Sequence, residues 1–339
     1  MKASGIQPAL SEHFAKMSVV CSFLVVFVHS EWNETGISRL LSYAVSWGLC
    51  SIAVPFFFMA SGYFLAGHID EPNYYSRALK SRVKTLLIPF VVWHILFFIT
   101  HYIGFFVKGD AVVKFDVLSC CTWFGLDPFN HPGLTPFWYI RALLILVLLT
   151  PVVLGLLRML GRGYFYVLFP VYLLVLGTFD HANVWRRVFY GPLSLTGFFY
   201  YGLGMFARMR GLTLKSFSRL KIPCLILGVA AIICGTMAKY FGAFAVQDIA
   251  WILGIPPLMF ICWEMVGRLK MPVWLMKCSF GVFAMHMFVL QVLHRMPLPG
   301  NFVGYLGRGL ITCVCSVALT VALKKSLPRV MNFLCGGRC

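Results

Sequence analysis

Charged residues are scarce in this sequence of 339 residues, where Asp, Glu, Lys and Arg together make up 12% of the chain. Acidic residues are the rarest, with 11 Asp and Glu against 29 Lys and Arg. Hydrophobic residues supply 60%, and the mean hydropathy is +0.83. Because a soluble domain carries about 25% charged residues, this composition excludes an ordinary soluble protein and indicates an integral membrane protein.

The sequence also lacks the patterns of a metal site, a disulfide framework or a nucleic-acid interface. No Cys-x-x-Cys pair occurs among the 12 cysteines, and the helical histidines do not form matched pairs for haem. Cys120 and Cys121 are adjacent, so a bridge between them would be strained. The terminal CGGRC is interpreted as a flexible tail. No basic stripe with interleaved exposed aromatics occurs, so we do not expect a nucleic-acid partner. We do not expect a metal either, because the cysteine and histidine ligand patterns are missing.

Long apolar runs recur along the whole chain and predict about ten transmembrane helices, at about 20 residues per crossing. Solid runs such as residues 142–149 favour helices over barrel strands, whose residues alternate. The fold class is therefore all-α and polytopic. The expected helices are 16–31, 42–66, 85–107, 138–157, 163–180, 191–207, 222–241, 248–267, 273–293 and 303–323.

The distribution of basic residues predicts the orientation. With the N-terminus in the cytoplasm, 20 of the 29 Lys and Arg fall on the cytoplasmic side, and the nine others include Arg141, Lys239 and Arg308. Both termini are then cytoplasmic, and the formal charge of +18 reflects topology and attraction to anionic membrane lipid. Residues 1–15 do not resemble a cleavable signal peptide.

A single membrane domain, residues 1–339, is the economical interpretation. It has a short N-terminal segment, 1–15, and a C-terminal tail, 324–339. The longest outward segment, 108–137, is too short for an independent core, and it is either a lid over a substrate or a structural cap. No internal repeat of fixed period is visible. Oligomeric state is left open, a homo-oligomer included.

His29 has polar neighbours at the outward end of the first helix, because Ser30 and Glu31 follow it directly. A general base needs access to a reactant and a carboxylate or hydroxyl within reach. His29 and Glu31 are therefore candidate catalytic residues, and a structural histidine at the interface is the alternative. His94 and His286 lie inside predicted helices and are interpreted first as hydrogen-bonded packing residues.

Cations concentrate at two further places. Arg77, Lys80, Arg82 and Lys84 precede a helix that Pro89 bends, and such a cluster either reflects positive-inside topology or binds a phosphorylated cytoplasmic donor. Arg141 lies one turn inside the fourth helix, where it snorkels to the interface or contacts an anion or oxyanion.

Six segments, in order, resemble the landmarks of acyltransferase family 3. They are FLVVFVHS (23–30), VPFFFMASGYFL (54–65), KSRVKTLLIPFVVW (80–93), PFWYIRALLILVLLTPVV (136–153), YGLGMFAR (201–208) and CSFGVFAMHMFVL (278–290). The resemblance covers roughly residues 15–325. It implies an integral-membrane enzyme that moves acyl groups, commonly acetyl from acetyl-CoA, onto extracytoplasmic carbohydrates.

The resemblance also implies roles for matching residues. His29 matches the family's first-helix histidine, the general base, and the basic run before Pro89 matches its donor-binding stretch. The family has a cation eleven residues before the histidine, where this chain has Ser18, and Lys16 is the nearest cation. His286 matches a frequent histidine, although Phe283 replaces the usual tyrosine before it.

The resulting hypothesis is an O-acyltransferase, most simply an O-acetyltransferase, of the inner cell membrane. Acyl-CoA is the co-substrate, held by Arg77, Lys80, Arg82, Lys84 and Lys16. The acceptor is a carbohydrate or a lipid-linked glycan near Trp123, Trp138 and His286, and those two tryptophans fit an interfacial belt equally well. His29, Glu31 and Arg141 form the catalytic set, without a metal, and a covalent acyl-His29 intermediate is left open. A secondary transporter that exports a small polar or anionic solute is the alternative, although repeated halves are not visible.

Overall fold

The computed structural model describes residues 8–108, 117–123, 133–178, 194–212 and 219–338. Every regular element within these ranges is a helix, which confirms the all-α fold. The α-helices are α1 (Pro8–Val28), α2 (Gly36–Tyr43), α3 (Ala53–Ala66), α4 (Tyr74–Arg82), α5 (Ile88–Lys108), α6 (Val117–Trp123), α7 (Trp138–Leu148), α8 (Thr150–Leu160), α9 (Gly163–Thr178), α10 (Leu195–Met209), α11 (Lys221–Tyr240), α12 (Phe244–Gly267), α13 (Val273–Met276), α14 (Ser279–Leu293), α15 (Phe302–Ser326) and α16 (Pro328–Leu334).

Six helical segments of the described residues are long and apolar enough to cross a membrane, which confirms a polytopic membrane protein. They are Pro8–Val28, Gly36–Ala66, Tyr74–Thr100, Lys221–Tyr240, Val246–Gly267 and Phe302–Ser326. A seventh span results if α7 and α8 are counted as one broken crossing. α14 is apolar but has only 15 residues. The count of ten helices and the cytoplasmic termini stay predictions.

The expected helix 138–157 is instead a broken pair. α7 ends at Leu148, α8 begins at Thr150, and the two axes differ by 64°. Pro151 lies in the first turn of α8, where its missing N–H and its ring prevent a helical hydrogen bond to the carbonyl four residues earlier. The Thr150 hydroxyl hydrogen-bonds to the Tyr201 hydroxyl at 2.7 Å, which ties the bend to α10.

Other helix boundaries also differ from the expectation. α1 is already helical at Pro8, the first described residue, eight residues before the predicted start at 16. A π-helical turn, Val83–Leu87, lies directly before Pro89, at the predicted bend. The expected helix 273–293 is divided into α13 and α14.

Helix α1 is central and contacts α3, α12, α14 and α15. Close backbone contact joins α3 to α10, since a Cβ on Gly62 would overlap the Tyr201 carbonyl and one on Gly204 would overlap the Met59 carbonyl. Small residues at such crossings are typical of membrane helix packing.

The helices place two sets of polar residues at opposite ends of the bundle. We call the end where α1 terminates the His29 end; Lys239 of α11 and Arg308 of α15 also lie there. The other end, where α1 begins, carries α4 and the segment that follows it, and we call it the basic end. Lys221 at the start of α11 pairs there with Glu264 at 2.6 Å.

The C-terminal segment is packed against the basic end, so the expectation of a flexible tail at CGGRC is wrong for residues 335–338. The Trp93 indole N–H donates to the Leu334 carbonyl at 2.9 Å, and Arg338 Nη2 donates to the Thr85 carbonyl at 2.8 Å. Cys335 is fully buried. Cys120 and Cys121 are free thiols, as the sequence predicts.

Candidate active site

His29 is the first residue after α1, and its imidazole is half-buried. The backbone turns directly there, because the His29 N–H donates to the Val26 carbonyl at 3.1 Å and the Ser30 hydroxyl donates to the same carbonyl at 2.7 Å. The Tyr305 hydroxyl caps a neighbouring carbonyl, that of Phe27, at 3.1 Å. The last turn of α1 therefore holds His29 at a fixed position.

The second histidine at this position is His286 of α14, whose side chain is fully buried. The two imidazole centroids lie 5.5 Å apart, and the ring planes are inclined by 37°. His286 Nδ1 lies 2.6 Å from the Phe283 carbonyl oxygen. Since a carbonyl only accepts, Nδ1 carries the proton and Nε2 of the neutral ring presents a lone pair. That Nε2 has no hydrogen-bond partner among the described residues.

A buried ion pair fixes the loop that follows His29. Arg308, 1% exposed, binds Glu34 through Nη2, and Glu34 Oε2 also accepts the Trp32 backbone N–H at 2.8 Å. Arg308 Nε donates to the Ser30 carbonyl at 3.1 Å, and Nη1 donates to the Pro299 carbonyl at 3.1 Å. One guanidinium thus joins the 29–35 loop to the loop before α15.

The sequence alone does not reveal this ion pair, because it predicts Arg308 only as an outward cation and Glu34 lies in no motif. The available signal was the scarcity of acidic residues, since each carboxylate in so apolar a chain is a candidate partner for an arginine inside a predicted helix. A separation of 274 positions, however, leaves no register by which a sequence assigns the pairing.

The candidate catalytic residue Glu31 points toward the π-helical turn Ala44–Gly48. Its carboxylate accepts a hydrogen bond from the Ser46 hydroxyl and lies within electrostatic range of Lys239. Burial raises the pKa of Glu31. Lys239 lies over the Tyr43 ring, with Nζ 4.3 Å from its centroid, and near Trp47 and Trp251. Both charges thus belong to the framework of the His29 end.

The predicted oxyanion residue Arg141 lies inside the bundle and is 8% exposed, so it does not snorkel to the surface. It lies within electrostatic range of His94, which donates Nδ1–H to the Phe90 carbonyl at 2.7 Å. Aromatic rings connect this pair to the histidine site. His94 contacts Phe137 at 5.4 Å between centroids, and Phe137 stacks on Phe283 at 5.3 Å.

The predicted donor cations all lie at the basic end. Arg77 is 58% exposed and pairs with Glu71 at 2.5 Å, while Lys80 and Lys84 are exposed. Arg82 is half-buried and lies within electrostatic range of Tyr139 inside the bundle. Lys16 pairs with Glu12, one turn earlier on α1, at 2.8 Å.

The two tryptophans that were predicted to contact the carbohydrate acceptor are less exposed than outward-facing rings would be. Trp123 is 8% exposed and packs against Phe97 and Phe98 at 5.8 and 5.5 Å between centroids. Trp138 is half-buried and contacts Phe58. Among the described residues, no group of three His, Cys, Asp or Glu could hold a metal ion.

Comparison with known proteins decides the family. The sequence model of the acyltransferase domain that defines acyltransferase family 3 matches residues 19–325. The chain belongs to this family. The succinoglycan biosynthesis protein ExoH of Rhizobium meliloti (strain 1021) is 26% identical over 215 residues, which cover 59% of this chain and 54% of ExoH. The chain thus spans about half the length of that curated relative. No solved structure matches the chain.

Proposed function

We propose that this protein is an O-acyltransferase of the inner cell membrane that transfers an acyl group, most simply acetyl, from acyl-CoA to a hydroxyl of an extracytoplasmic carbohydrate. The observation that carries the proposal is the His29–His286 pair at one end of a family 3 acyltransferase bundle. The name of the relative ExoH, a succinoglycan biosynthesis protein, supports a polysaccharide or its lipid-linked precursor as acceptor.

His286 assigns a tautomer to His29 in this proposal. The lone pair on His286 Nε2 has no hydrogen-bond partner among the described residues, and in this proposal it accepts an N–H from the His29 ring, 5.5 Å away between centroids, once that ring turns toward it on acceptor binding. The other His29 nitrogen is then unprotonated. That nitrogen is the general base, and the half-buried ring gives it access to an acceptor hydroxyl. His286 acts through His29 and is therefore a positioning residue.

The acyl transfer from the thioester to the acceptor hydroxyl needs no metal in this proposal. The acceptor oxygen attacks the thioester carbonyl carbon while His29 takes the hydroxyl proton, and a tetrahedral oxyanion forms. Arg141 is the buried cation assigned to stabilise that oxyanion. The carbon–sulfur bond breaks, and the CoA thiolate receives the proton from His29.

The basic end supplies the donor site in this proposal and faces the cytoplasm, as do both termini. Arg77, Lys80 and Lys84 present exposed cations that bind the CoA phosphates, and Lys16 extends this set from α1. Arg82 lies deeper and marks the direction in which the pantetheine enters, because it is close to Tyr139 within the bundle.

The test is transfer of radiolabelled acetyl from acetyl-CoA into the membrane and glycan fractions of cells that express the wild type or His29→Ala at matched levels. The matched control is His68→Ala, a histidine whose side chain is 65% exposed at the basic end. We expect a loss of about 100-fold or more for His29→Ala, the range of a lost general base, and unchanged labelling for His68→Ala.

Equal labelling by the wild type and His29→Ala would contradict the role of His29. Absence of labelling in the wild type, together with export of an unchanged solute, would favour the transporter alternative.

A further inference from the structure

A cleft opens along the chain segment that directly follows His29. Its volume is about 470 Å³, within the range of roughly 300–1,000 Å³ that is typical of small-molecule sites. The lining residues are Glu31, Trp32, Asn33, Glu34, Thr35, Arg39, Ser42 and Tyr43. The cleft is therefore polar and aromatic, although it lies in a predominantly apolar protein.

Trp32 provides a flat, supported aromatic surface in this cleft. Its indole stacks on His294, with 4.2 Å between centroids and 16° between planes, and the residue is 44% exposed. One face is thus covered by His294, and the exposed part lines the cleft. An aromatic face with polar groups beside it is suited to a pyranose, whose C–H groups pack on the ring while its hydroxyls make hydrogen bonds.

Groups that recognise hydroxyls surround this surface. The side chains of Asn33 and Thr35 are exposed in the cleft, and the Tyr43 hydroxyl accepts Arg39 Nε–H at 2.7 Å. The carboxylates of Glu31 and Glu34 also stand in the wall, and the nearby Lys239 and Arg308 compensate their charges. The groups left to bind a ligand are therefore mainly the uncharged amide of Asn33 and the hydroxyls of Thr35 and Tyr43, which suit the hydroxyls of an uncharged ligand.

The wall of the cleft is preorganised. Glu34 is held by Arg308 and by the Trp32 N–H, and Glu31 is held by Ser46. The Pro299–Gly300 segment supports the opposite side, since Arg308 binds the Pro299 carbonyl and a Cβ on Gly300 would lie 3.0 Å from the Asn33 carbonyl. Because these contacts are made before a ligand arrives, binding costs little ordering entropy.

We propose that this cleft is the acceptor site and that it binds an uncharged, hydroxyl-rich pyranose stacked on Trp32. The inference rests on the proposed function, because it places the acceptor next to His29. It moves the acceptor contact from the buried Trp123 to Trp32, a residue that no sequence motif singles out.

The experiment measures saccharide binding directly, without acyl transfer. Saturation-transfer NMR is recorded on the purified full chain in a detergent without a sugar head group, with cellobiose as the neutral probe and glucuronic acid as the anionic probe. We expect cellobiose to bind the wild type. Trp32→Ala should weaken that binding about tenfold or more, the scale of one lost aromatic contact, and Trp32→Phe should retain most of it.

Matched control variants distinguish a loss of saccharide binding in the cleft from a loss of folding and from a loss of acetyl transfer. Trp274→Ala removes an indole that is 55% exposed outside the cleft and should bind cellobiose as the wild type does. Thr35→Val changes only an exposed hydroxyl and should weaken cellobiose binding. It tests the cleft in case Trp32→Ala does not fold. His29→Ala should bind cellobiose normally while losing acetyl transfer.

Equal binding of cellobiose by Trp32→Ala and the wild type would overturn the proposal, as would tighter binding of glucuronic acid or no binding by the wild type. Normal transfer by His29→Ala would instead contradict the proposed function and leave the cleft as a saccharide site.

Discussion

The two ends of the helical bundle differ in the exposure of their charged side chains. At the His29 end, Arg308 and Glu34 are 1% and 3% exposed at their side chains and hold each other and the adjacent loop. At the basic end, Arg77 is 58% exposed, its partner Glu71 is 37% exposed, and Lys80 and Lys84 lie at the surface. Buried pairs fix a geometry, whereas exposed cations adapt to a flexible anion.

This difference corresponds to the two halves of the proposed reaction. The His29 end must hold an imidazole, its partner and an acceptor hydroxyl at fixed distances, since general base catalysis depends on geometry. The basic end needs only to attract and retain phosphates, for which mobile lysines and arginines are sufficient. The predictions below test this division, from the largest expected effect to the smallest.

The Arg308→Met variant should show the largest loss. It leaves the Glu34 carboxylate buried without its partner, which costs about 3–5 kcal/mol of unfolding free energy. Equilibrium unfolding of the purified protein measures the loss. The double variant Arg308→Met/Glu34→Leu should recover most of the stability, because no buried charge is left unpaired.

The matched change at the other end is Arg77→Met, whose ion pair is exposed. It should leave the unfolding midpoint within experimental error. Comparable losses for Arg308→Met and Arg77→Met would contradict the division between a fixed and an adaptable end.

The second prediction concerns the positioning residue His286. His286→Leu removes the buried Nε2 lone pair, so kcat should fall about 100-fold, while the KM values for acetyl-CoA and acceptor change little. His286→Gln retains an acceptor oxygen and should lose less. If His286→Leu raises the acceptor KM and leaves kcat unchanged, His286 belongs to acceptor binding instead.

The third prediction concerns the basic run. Arg77→Ala/Lys80→Ala should raise the KM for acetyl-CoA about tenfold, the equivalent of about 1.4 kcal/mol, with a loss that shrinks as salt rises. The unfolding midpoint should not change. Arg268→Ala, an exposed cation outside the run, is the control and should leave the KM unchanged.

The smallest expected effect is the pH dependence that Glu31 contributes. Burial raises the pKa of this carboxyl in the folded protein, so the folded state binds the proton more tightly than the unfolded chain does. Its contribution to stability is present below the ordinary carboxyl pKa and is lost as pH rises through the raised pKa.

Glu31→Gln cannot ionise and keeps an oxygen for the Ser46 hydroxyl. The unfolding midpoint of this variant should therefore rise relative to the wild type as pH increases from about 4 toward neutrality. Glu12→Gln at the exposed basic end serves as the control. A difference between Glu31→Gln and the wild type that does not change with pH would contradict the assignment.

The sequence allowed the fold class and the ends of several helices to be predicted, because apolar length and proline position are local properties. Pro89 indicated the irregular turn before it, but the break at Pro151 was missed because apolar residues continue through it. The candidate site was only partly predictable. His29 had polar neighbours in sequence, whereas its contacts with His286 and the Arg308–Glu34 pair join distant segments that hydropathy cannot align.

The burial of the Trp123 indole could not be predicted from the sequence either, because it also depends on contacts between separate helices. Composition marks a tryptophan near the end of a helix as an interfacial residue, but packing against Phe97 and Phe98 decides its exposure. The cleft at residues 31–43 depends on the turn at Gly36, whose φ of +53° suits glycine, and on the support of the Pro299 loop. Neither feature follows from hydropathy.

The central claim is that donor and acceptor are used at opposite ends of the bundle, with the basic end toward the cytoplasm. The most direct test adds radiolabelled acetyl-CoA, which does not cross the membrane, to inside-out and to right-side-out membrane vesicles that contain the protein. The account predicts incorporation of label into glycan only in the inside-out vesicles, and its loss there with Arg77→Ala/Lys80→Ala. Equal incorporation in both orientations, or incorporation only in right-side-out vesicles, would contradict it.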